Sequence, residues 1–267
     1  MGDRPLFVIV NDDGVHAPGI AALRSAASSF GDVVTVAPMV EKSGCGQALT
    51  LSDPLRVENI EENVYALSGT PADCVLFALN ELLPRKPDWT LSGINRGSNL
   101  GQDTLYSGTV AGAMESILHG VPSMAFSLAG GEHFSVSDFS EAMRVVAYFV
   151  ERRDEFAPVN GTSVINVNIP DVPFSSMRGV RSAGLGRRLY ESRYYKNVDP
   201  RGRDYYWLGG GGDKHAAIED SDCLRVDEGY VSVSFLKPDH NDYEIMRKWR
   251  AERQTGFDSG FLETKEG

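Results

Sequence analysis

The chain has 267 residues, of which 42% are hydrophobic and 24% charged, a composition typical of a folded globular protein and not of a disordered or fibrous one. Its 26 lysine and arginine residues face 37 aspartate and glutamate residues, and the formal net charge of -11 argues against a broad surface for nucleic-acid polymers. A small anionic substrate would therefore need local help, from a metal ion or from a helix N-terminus.

Cysteines and apolar runs indicate the compartment. Cys45, Cys74 and Cys223 stand far apart and lack the spacing of a metal knuckle, so we expect free thiols in a reducing environment. We find no basic start followed by an apolar segment, and no apolar run approaches the roughly 18 residues of a membrane span. We therefore expect a cytoplasmic protein that does not contact membranes.

Predicted strands and helices alternate through the first part of the chain. An apolar strand at residues 6–10 leads into an acidic turn and a helix with Pro18 in its first turn. Short extended pieces fill residues 48–67, and a Gly- and Asn-rich loop is predicted at residues 92–101. Further strands are predicted at 33–38, 87–91, 121–127 and 164–168, and further helices from Thr70, from Ser107 and over about 138–153. This alternation predicts an α/β fold, a mostly parallel sheet with helices on both faces.

The pattern changes after Pro173. Residues 187–208 are rich in Tyr, Arg and Trp and predict a β-hairpin with its turn at residues 199–202. An acidic, flexible stretch, a strand at residues 230–235 and a polar tail follow. We therefore divide the chain into a core at residues 1–173 and a C-terminal hairpin and arm at residues 174–267, partly packed on the core. Such an arm favours subunit contacts.

Two adjacent carboxylates, Asp12 and Asp13, follow the first strand. Like charges this close raise each other's pKa unless a cation neutralises them, so a divalent metal is the simplest explanation. Oxygen ligands favour Mg²⁺, Mn²⁺ or Ca²⁺ over Zn²⁺. The alternative is an acidic turn that merely caps the following helix.

Three other segments are predicted to reach the same edge of the sheet: the glycine-punctuated loop at residues 42–46, the loop at residues 92–101 and the helix start at Ser107. Ser107, Gly108 and Thr109 begin a helix, where exposed amides and two hydroxyls would bind an anion, although Ser107 could simply cap that helix. Asn95 and Asn99 could donate to phosphate or offer a carbonyl to a metal, or they could serve left-handed turns.

Four motifs carry a specific resemblance. In order, they are NDDGVHAPG at residues 11–19, SGTPAD at 68–73, SGIN at 92–95 followed by Gly97, Asn99 and Gly101, and YSGTV at 106–110. Together they resemble the SurE family of survival-protein nucleotidases, strongly over the first half of the chain and loosely beyond it. The resemblance implies a Rossmann-like three-layer α/β/α fold with a C-terminal extension that exchanges between subunits of a homodimer or homotetramer.

The same resemblance implies a metal-dependent phosphomonoesterase that acts on nucleoside 5'-monophosphates, with 3'-monophosphates and short polyphosphate as further substrates. Carried over by position, the ligands of one divalent metal ion are Asp12, Asp13, Ser43 and Asn95. Asn99, Ser107, Gly108 and Thr109 are expected to hold phosphate. The catalytic pair is Asp12 and Asp13, with Asp12 preferred as the group that takes a proton from the attacking water.

Several residues and folds offer competing interpretations. His16 stands near the acidic pair and could act as a general acid, while the hairpin aromatics could pack together or stack on a base. A receiver-like signalling module also binds Mg²⁺ with an acidic pair after its first strand, but it needs a phosphoacceptor aspartate where this chain has SGIN. A dinucleotide-binding protein is disfavoured because the first turn lacks Gly-x-Gly-x-x-Gly.

Overall fold

The structure is a computed structural model that describes residues 4–130, 138–156, 162–191, 193–209 and 214–253. The strands are β1 (Leu6–Val10), β2 (Asp32–Pro38), β3 (Val57–Glu61), β4 (Val64–Leu67), β5 (Trp89–Arg96), β6 (Ser123–Ala129), β7 (Val164–Pro170), β8 (Val180–Ser182), β9 (Arg188–Leu189), β10 (Arg193–Val198), β11 (Asp204–Gly209), β12 (Lys214–His215) and β13 (Val231–Leu236). The α-helices are α1 (Pro18–Ser28), α2 (Pro71–Phe77), α3 (Gly108–Leu118), α4 (Ser140–Glu151), α5 (Arg153–Phe156), α6 (Asp222–Asp227) and α7 (Tyr243–Arg253).

One large sheet organises the structure. Its strand order is β3-β4-β2-β1-β5-β6-β7-β13-β8. The run from β4 to β7 is parallel throughout, while β3 and β13 pair with their neighbours β4 and β7 in the antiparallel sense. The predicted α/β fold with a mostly parallel sheet is confirmed.

Strand β1 shows why the fold has three layers. Phe7 and Ile9 belong to a core cluster that includes apolar residues of α1 and α4, whereas Leu6, Val8 and Val10 pack in a second cluster with residues of α2. Successive strand residues point to opposite faces, so a strand that is apolar at every position is buried on both sides. Helices α1 and α4 pack against each other, as do α2 and α3, and each pair covers one face.

The loop prediction for residues 92–101 was wrong in its first half. Strand β5 continues to Arg96, with a register shift between Ser92 and Asn95 in its pairing with β6. Gly93, which indicated a loop in the sequence, is required at this irregularity of β5. Its φ is +125°, and a Cβ there would lie 2.3 Å from the carbonyl oxygen of Phe126. Asn95 therefore lies on a strand.

The C-terminal part contributes more to the sheet than the sequence indicated. The sequence places the last core strand at residues 164–168, yet β13 pairs with β7, and β8 pairs with β13. The prediction of a flexible acidic stretch at residues 209–222 was wrong in its second half: residues 210–213 lie outside the described residues, but Lys214 and His215 form β12, and Asp222 begins α6 and is fully buried. The predicted hairpin is confirmed as the separate β10–β11 sheet, with its turn beginning at Asp199.

Contacts between residues divide the chain into two units, Met1–Leu236 and Lys237–Gly267. The second unit contains α7. The division expected near residue 173 stays a prediction, and the sheet of the first unit takes two of its strands from beyond that point. All three cysteines are free thiols. Among the helices of the described residues, none has the length and apolar character needed to cross a bilayer.

Candidate active site

The acidic turn lies at the carboxyl edge of the central strands. In the pairing of β1 with β5, Val10 is opposite Ser92, so the residues after β1 run beside the end of β5. The side chain of Asn11 closes the turn, since its Nδ2 donates to the carbonyl of Gly14 at 3.1 Å and its Oδ1 accepts from the amide of Gly14 at 3.2 Å. Ligands of open α/β sheets bind at this edge.

Asp12 lies against the N-terminus of α3. Its side chain is almost fully buried, and its Oδ1 accepts a hydrogen bond from the Thr109 hydroxyl. Burial raises the pKa of the Asp12 carboxyl, while hydrogen bonds from Thr109 and from the backbone of Gly108 partly oppose that rise. A Cβ at residue 108 would lie 2.6 Å from the Cβ of Asp12, so the close approach of helix and carboxylate requires glycine there.

Asp13 is the more accessible of the two acids. Its Oδ2 accepts from the amide of Arg96 at 3.3 Å, at the end of β5. Burial, followed by the neighbouring charge of Asp12, raises the pKa of Asp13 to about 6. A bound cation would favour the ionised form of both carboxylates.

Ser43 and Asn95 approach this turn on two further segments. The amide of Lys42 donates to the carbonyl of Asp12 at 2.7 Å, which holds the Ser43 loop against the turn. The Ser43 hydroxyl itself is exposed and donates to Glu41 Oε1 at 2.7 Å. Asn95 is half-buried and donates through Nδ2 to the carbonyl of Gly97 at 3.0 Å, which leaves its Oδ1 to act as an acceptor.

The donor set fits a hard divalent cation. Asp12, Asp13, Ser43 and Asn95 offer carboxylate, hydroxyl and amide oxygens, which are the ligands that Mg²⁺, Mn²⁺ and Ca²⁺ prefer. Across the described ranges, His, Cys, Asp and Glu side chains form no group of three or more that could hold a metal. A metal at this turn would therefore depend on Ser43 and Asn95 as well as on the two acids.

The predicted phosphate-binding residues fall into two groups. Gly108 and Thr109 contact Asp12, and Ser107 caps α3 because its Oγ accepts from the amide of Val110 at 3.0 Å. Asn99 instead contacts strand β6, where its Nδ2 donates to Ser127 Oγ at 2.8 Å. Nδ2 carries a second N–H, which could still reach a ligand.

Several residues at the site were not singled out from the sequence. Gly46 donates to the carbonyl of Tyr106 at 2.9 Å, which joins the Ser43 loop to the segment before α3. The Cys45 thiol, half-buried, lies so close to Gly108 that a Cβ there would be 3.0 Å from its sulfur. Asn166 and Asn168 bind the Asn99 backbone, and their spacing of two on a strand was a signal that both amides share a face.

His16 is exposed. It lines a pocket with Ile20 and Arg24 of α1 and Thr35 of β2. Among the hydrogen bonds of the described residues, none joins His16 to Asp12 or Asp13.

Comparison with known proteins identifies the family. The family model described as "Survival protein SurE" matches residues 7–192. This chain belongs to the SurE family. The resemblance seen in its motifs is thereby confirmed.

SurE relatives match nearly the whole chain. The protein named 5'-nucleotidase SurE from Vibrio vulnificus (strain YJ016) is 44% identical over 255 residues, which are 94% of this chain and 98% of the relative. The protein of the same name from Syntrophotalea carbinolica is 42% identical over 91% of this chain and 97% of its own length. The crystal structure of the SurE protein from Aquifex aeolicus has a TM-score of 0.79 and 40% identity, and covers 92% of this chain and 99% of that one.

Proposed function

We propose that this SurE-family chain is a 5'-nucleotidase, a phosphoric monoester hydrolase that releases phosphate from nucleoside 5'-monophosphates. Relatives at 42–44% identity over more than nine-tenths of the chain carry that name. The single observation that carries the proposal is the contact of Asp12 with the N-terminus of α3, beside Asp13. This places an acidic pair next to a helix end that is suited to anions.

The proposed cofactor is one divalent metal ion, Mg²⁺, Mn²⁺ or Ca²⁺. Its proposed ligands are Asp12, Asp13, Ser43 and Asn95, whose oxygens fit a hard cation. When bound, such an ion supplies Lewis-acid charge and lowers the pKa of a coordinated water. The Ser43 hydroxyl donates a hydrogen bond to Glu41. For Ser43 to serve as a metal ligand, a lone pair of its oxygen must point into the site while the hydroxyl keeps this hydrogen bond or donates to another acceptor.

The protein's own residues have separate tasks in the proposed reaction. An aspartate of the pair takes the proton of the attacking water, and the preference for Asp12 stays a prediction. Asn99, Ser107, Gly108 and Thr109 hold the phosphoryl oxygens as charge is redistributed. The Thr109 hydroxyl donates to Asp12, and the backbone amides of Gly108 and Thr109 also face that carboxylate, so phosphate would share these donors with Asp12.

Finer features of the activity belong to the same proposal. We include 3'-monophosphates and short polyphosphate among its substrates, and a homodimer or homotetramer as the active assembly, with the β10–β11 hairpin at the subunit contact. The strands of that hairpin are exposed at nearly every position, and they carry Trp207 at 66% and Leu208 at 68% exposure. No observation favours the receiver-like alternative, because β5 presents Asn95 where that mechanism needs an aspartate.

A phosphate-release assay tests the proposal. The purified full chain is stripped with a chelator, dialysed, and supplied with Mg²⁺, Mn²⁺ or Ca²⁺ separately, with nucleoside 5'- and 3'-monophosphates as substrates. We expect chelation to abolish phosphate release from AMP and at least one cation to restore it. Absence of release from every nucleotide with every cation would refute the proposed activity, and full activity after chelation would refute the metal.

A further inference from the structure

Two buried asparagines on β7 bind the backbone of Asn99. Asn168 Oδ1 accepts from the Asn99 amide at 2.8 Å, and Asn168 Nδ2 donates to the Asn99 carbonyl at 3.0 Å. Asn166 Nδ2 donates to the same carbonyl, also at 3.0 Å. Residues 166 and 168 are two apart on a strand, so their side chains lie on one face. The backbone donor and acceptor of Asn99 thus both have side-chain partners on β7.

The side chain of Asn99 is held from the neighbouring strand. Its Nδ2 donates to Ser127 Oγ on β6, and Ser127 is opposite Asn168 in the pairing of β6 with β7. Asn166, Asn168 and Ser127 are fully buried, and Asn99 is 6% exposed. Four hydrogen bonds in a dry environment therefore fix one loop residue against two strands.

The rest of the loop is held less directly. The amide of Gly97 donates to the carbonyl of Leu128 at 3.0 Å, and the amide of Gly101 donates to Asp222 Oδ2 at 2.8 Å. Between these two points, Arg188 Nη1 donates to Ser98 Oγ at 3.2 Å, and the contacts with Asn166, Asn168 and Ser127 hold residue 99 itself. Loss of the asparagine contacts would leave the loop attached at Gly97, Ser98 and Gly101, and among the described residues Asn99 would keep only the hydrogen bond of its side chain to Ser127.

The need to give the buried backbone groups of Asn99 hydrogen-bond partners does not by itself explain why two asparagines are present. Buried backbone groups need partners, and one asparagine could supply them. A second asparagine is present, and its Oδ1 has no hydrogen-bond partner among the described residues although it is buried. An unpartnered buried acceptor costs free energy that an aliphatic residue at 166 would avoid. The hydrogen bond from Asn166 to the Asn99 carbonyl is therefore better explained by the position of Asn99 than by stability.

We propose that Asn166 and Asn168 are positioning residues for phosphate binding. They hold the Asn99 backbone so that the second N–H of its side-chain amide is directed at the phosphate of the substrate. This inference rests on the proposed nucleotidase activity, because it gives Asn99 a role toward that substrate. The two asparagines do not touch the substrate and act only through Asn99.

Single variants with a neighbouring control test the proposal. In Asn166→Ala and Asn168→Ala, we expect KM for AMP and the inhibition constant of inorganic phosphate to rise together, about tenfold or more, because a hydrogen bond to a charged group is lost. The Mn²⁺ concentration for half-maximal activity should not change. The control is Ser232→Ala: Ser232 is fully buried, lies opposite Asn168 on β13, and its Oγ has no partner among the described residues.

A double-mutant cycle separates positioning from general stability. The single variant Asn99→Ala should raise KM for AMP. The double variant Asn99→Ala/Asn168→Ala should have the same KM as Asn99→Ala, because Asn168 acts through Asn99. Additive effects, or an unchanged KM in folded single variants, would overturn the proposal. If Asn168→Ala does not fold, Asn166→Ala, which loses only one of two donors to the carbonyl, decides the question.

Failure of the positioning role of Asn166 and Asn168 is distinguishable from failure of the proposed activity. If the wild-type chain releases no phosphate from any nucleotide, the proposed function fails. Calorimetric titration with inorganic phosphate then compares the wild type with the same variants. Weaker binding in both asparagine variants but not in Ser232→Ala would support the positioning role, and equal binding would overturn it.

Discussion

Removal of the Asp13 charge should stabilise the metal-free protein while it abolishes activity. Burial and the nearby Asp12 raise the pKa of Asp13 from 3.8 to about 6. At about 1.4 kcal/mol per pKa unit, this shift corresponds to about 3 kcal/mol, and we reduce it to about 2 kcal/mol because Asp13 is partly exposed and screened by solvent. Asp13→Asn retains the shape and the acceptor for the Arg96 amide, so it removes chiefly this unfavourable charge.

The sign of the pH dependence follows from the raised pKa. The folded state binds the Asp13 proton more tightly than the unfolded state, so the favourable contribution is complete below about pH 4 and is lost as the pH rises through about 6. Wild type and Asp13→Asn should therefore be equally stable near pH 4. At pH 8 the variant should be more stable by about 2 kcal/mol.

Urea unfolding, followed by circular dichroism in chelator at several pH values, measures this difference. Asp53→Asn is the matched control, since Asp53 is exposed and its replacement should not alter the free energy of unfolding. An excess of the activating cation should stabilise the wild type, by about 2.7 kcal/mol at a hundred times Kd, and the variant much less. A variant that is less stable than wild type at pH 8, or one with the same pH dependence, would refute this reasoning.

Two further predictions concern α3 and the hairpin. Thr109→Val removes the hydroxyl that donates to Asp12 and should lower kcat/KM for AMP by about ten- to a hundredfold. Thr109→Ser keeps a hydroxyl, and its kcat/KM should stay near the wild-type value. Equal losses in both variants would contradict a role for that hydroxyl. Replacement of residues 193–209 by a short Gly-Ser linker should shift the assembly to monomers in light scattering, because an exposed two-stranded hairpin is marginally stable alone. An unchanged mass would contradict it, and Arg201→Ala at the turn serves as the control.

Local sequence signals predicted the elements whose information is local. Helix α2 begins after Thr70 as predicted, where Thr70 and Asp73 form a capping box, and Ser107 caps α3. The acidic turn after β1 was equally visible, because a strand buried on both faces is a continuous apolar run. For these features, residues within one helical turn or one strand decide the structure.

The features that the sequence did not predict depend on contacts between residues that are far apart in the chain. Gly93 indicates a loop by composition, but the approach of Phe126 from β6 makes it part of a strand. Asp222 reads as one more acid in a polar stretch, yet its carboxylate accepts from the amides of Gly101 and Gly186. Asn166 and Asn168 gain their meaning only when the register of β6 and β7 brings Asn99 to them.

The electrostatics of the site connect the acidic composition with an anionic substrate. The α3 N-terminus, the feature best suited to phosphate, already carries a carboxylate, because Asp12 accepts from Thr109 and faces Gly108. A dianionic phosphate that approached the same amides would meet that charge and the charge of Asp13 in a poorly solvated turn, where repulsion is weakly screened. Positive charge must therefore accompany the phosphate. The described residues around the acids offer Arg96, which is exposed, Lys42, whose backbone amide donates to the Asp12 carbonyl, and oxygen donors that suit a divalent cation. We therefore expect the acidic pair and the helix end to bind phosphate as one site only when a cation joins them.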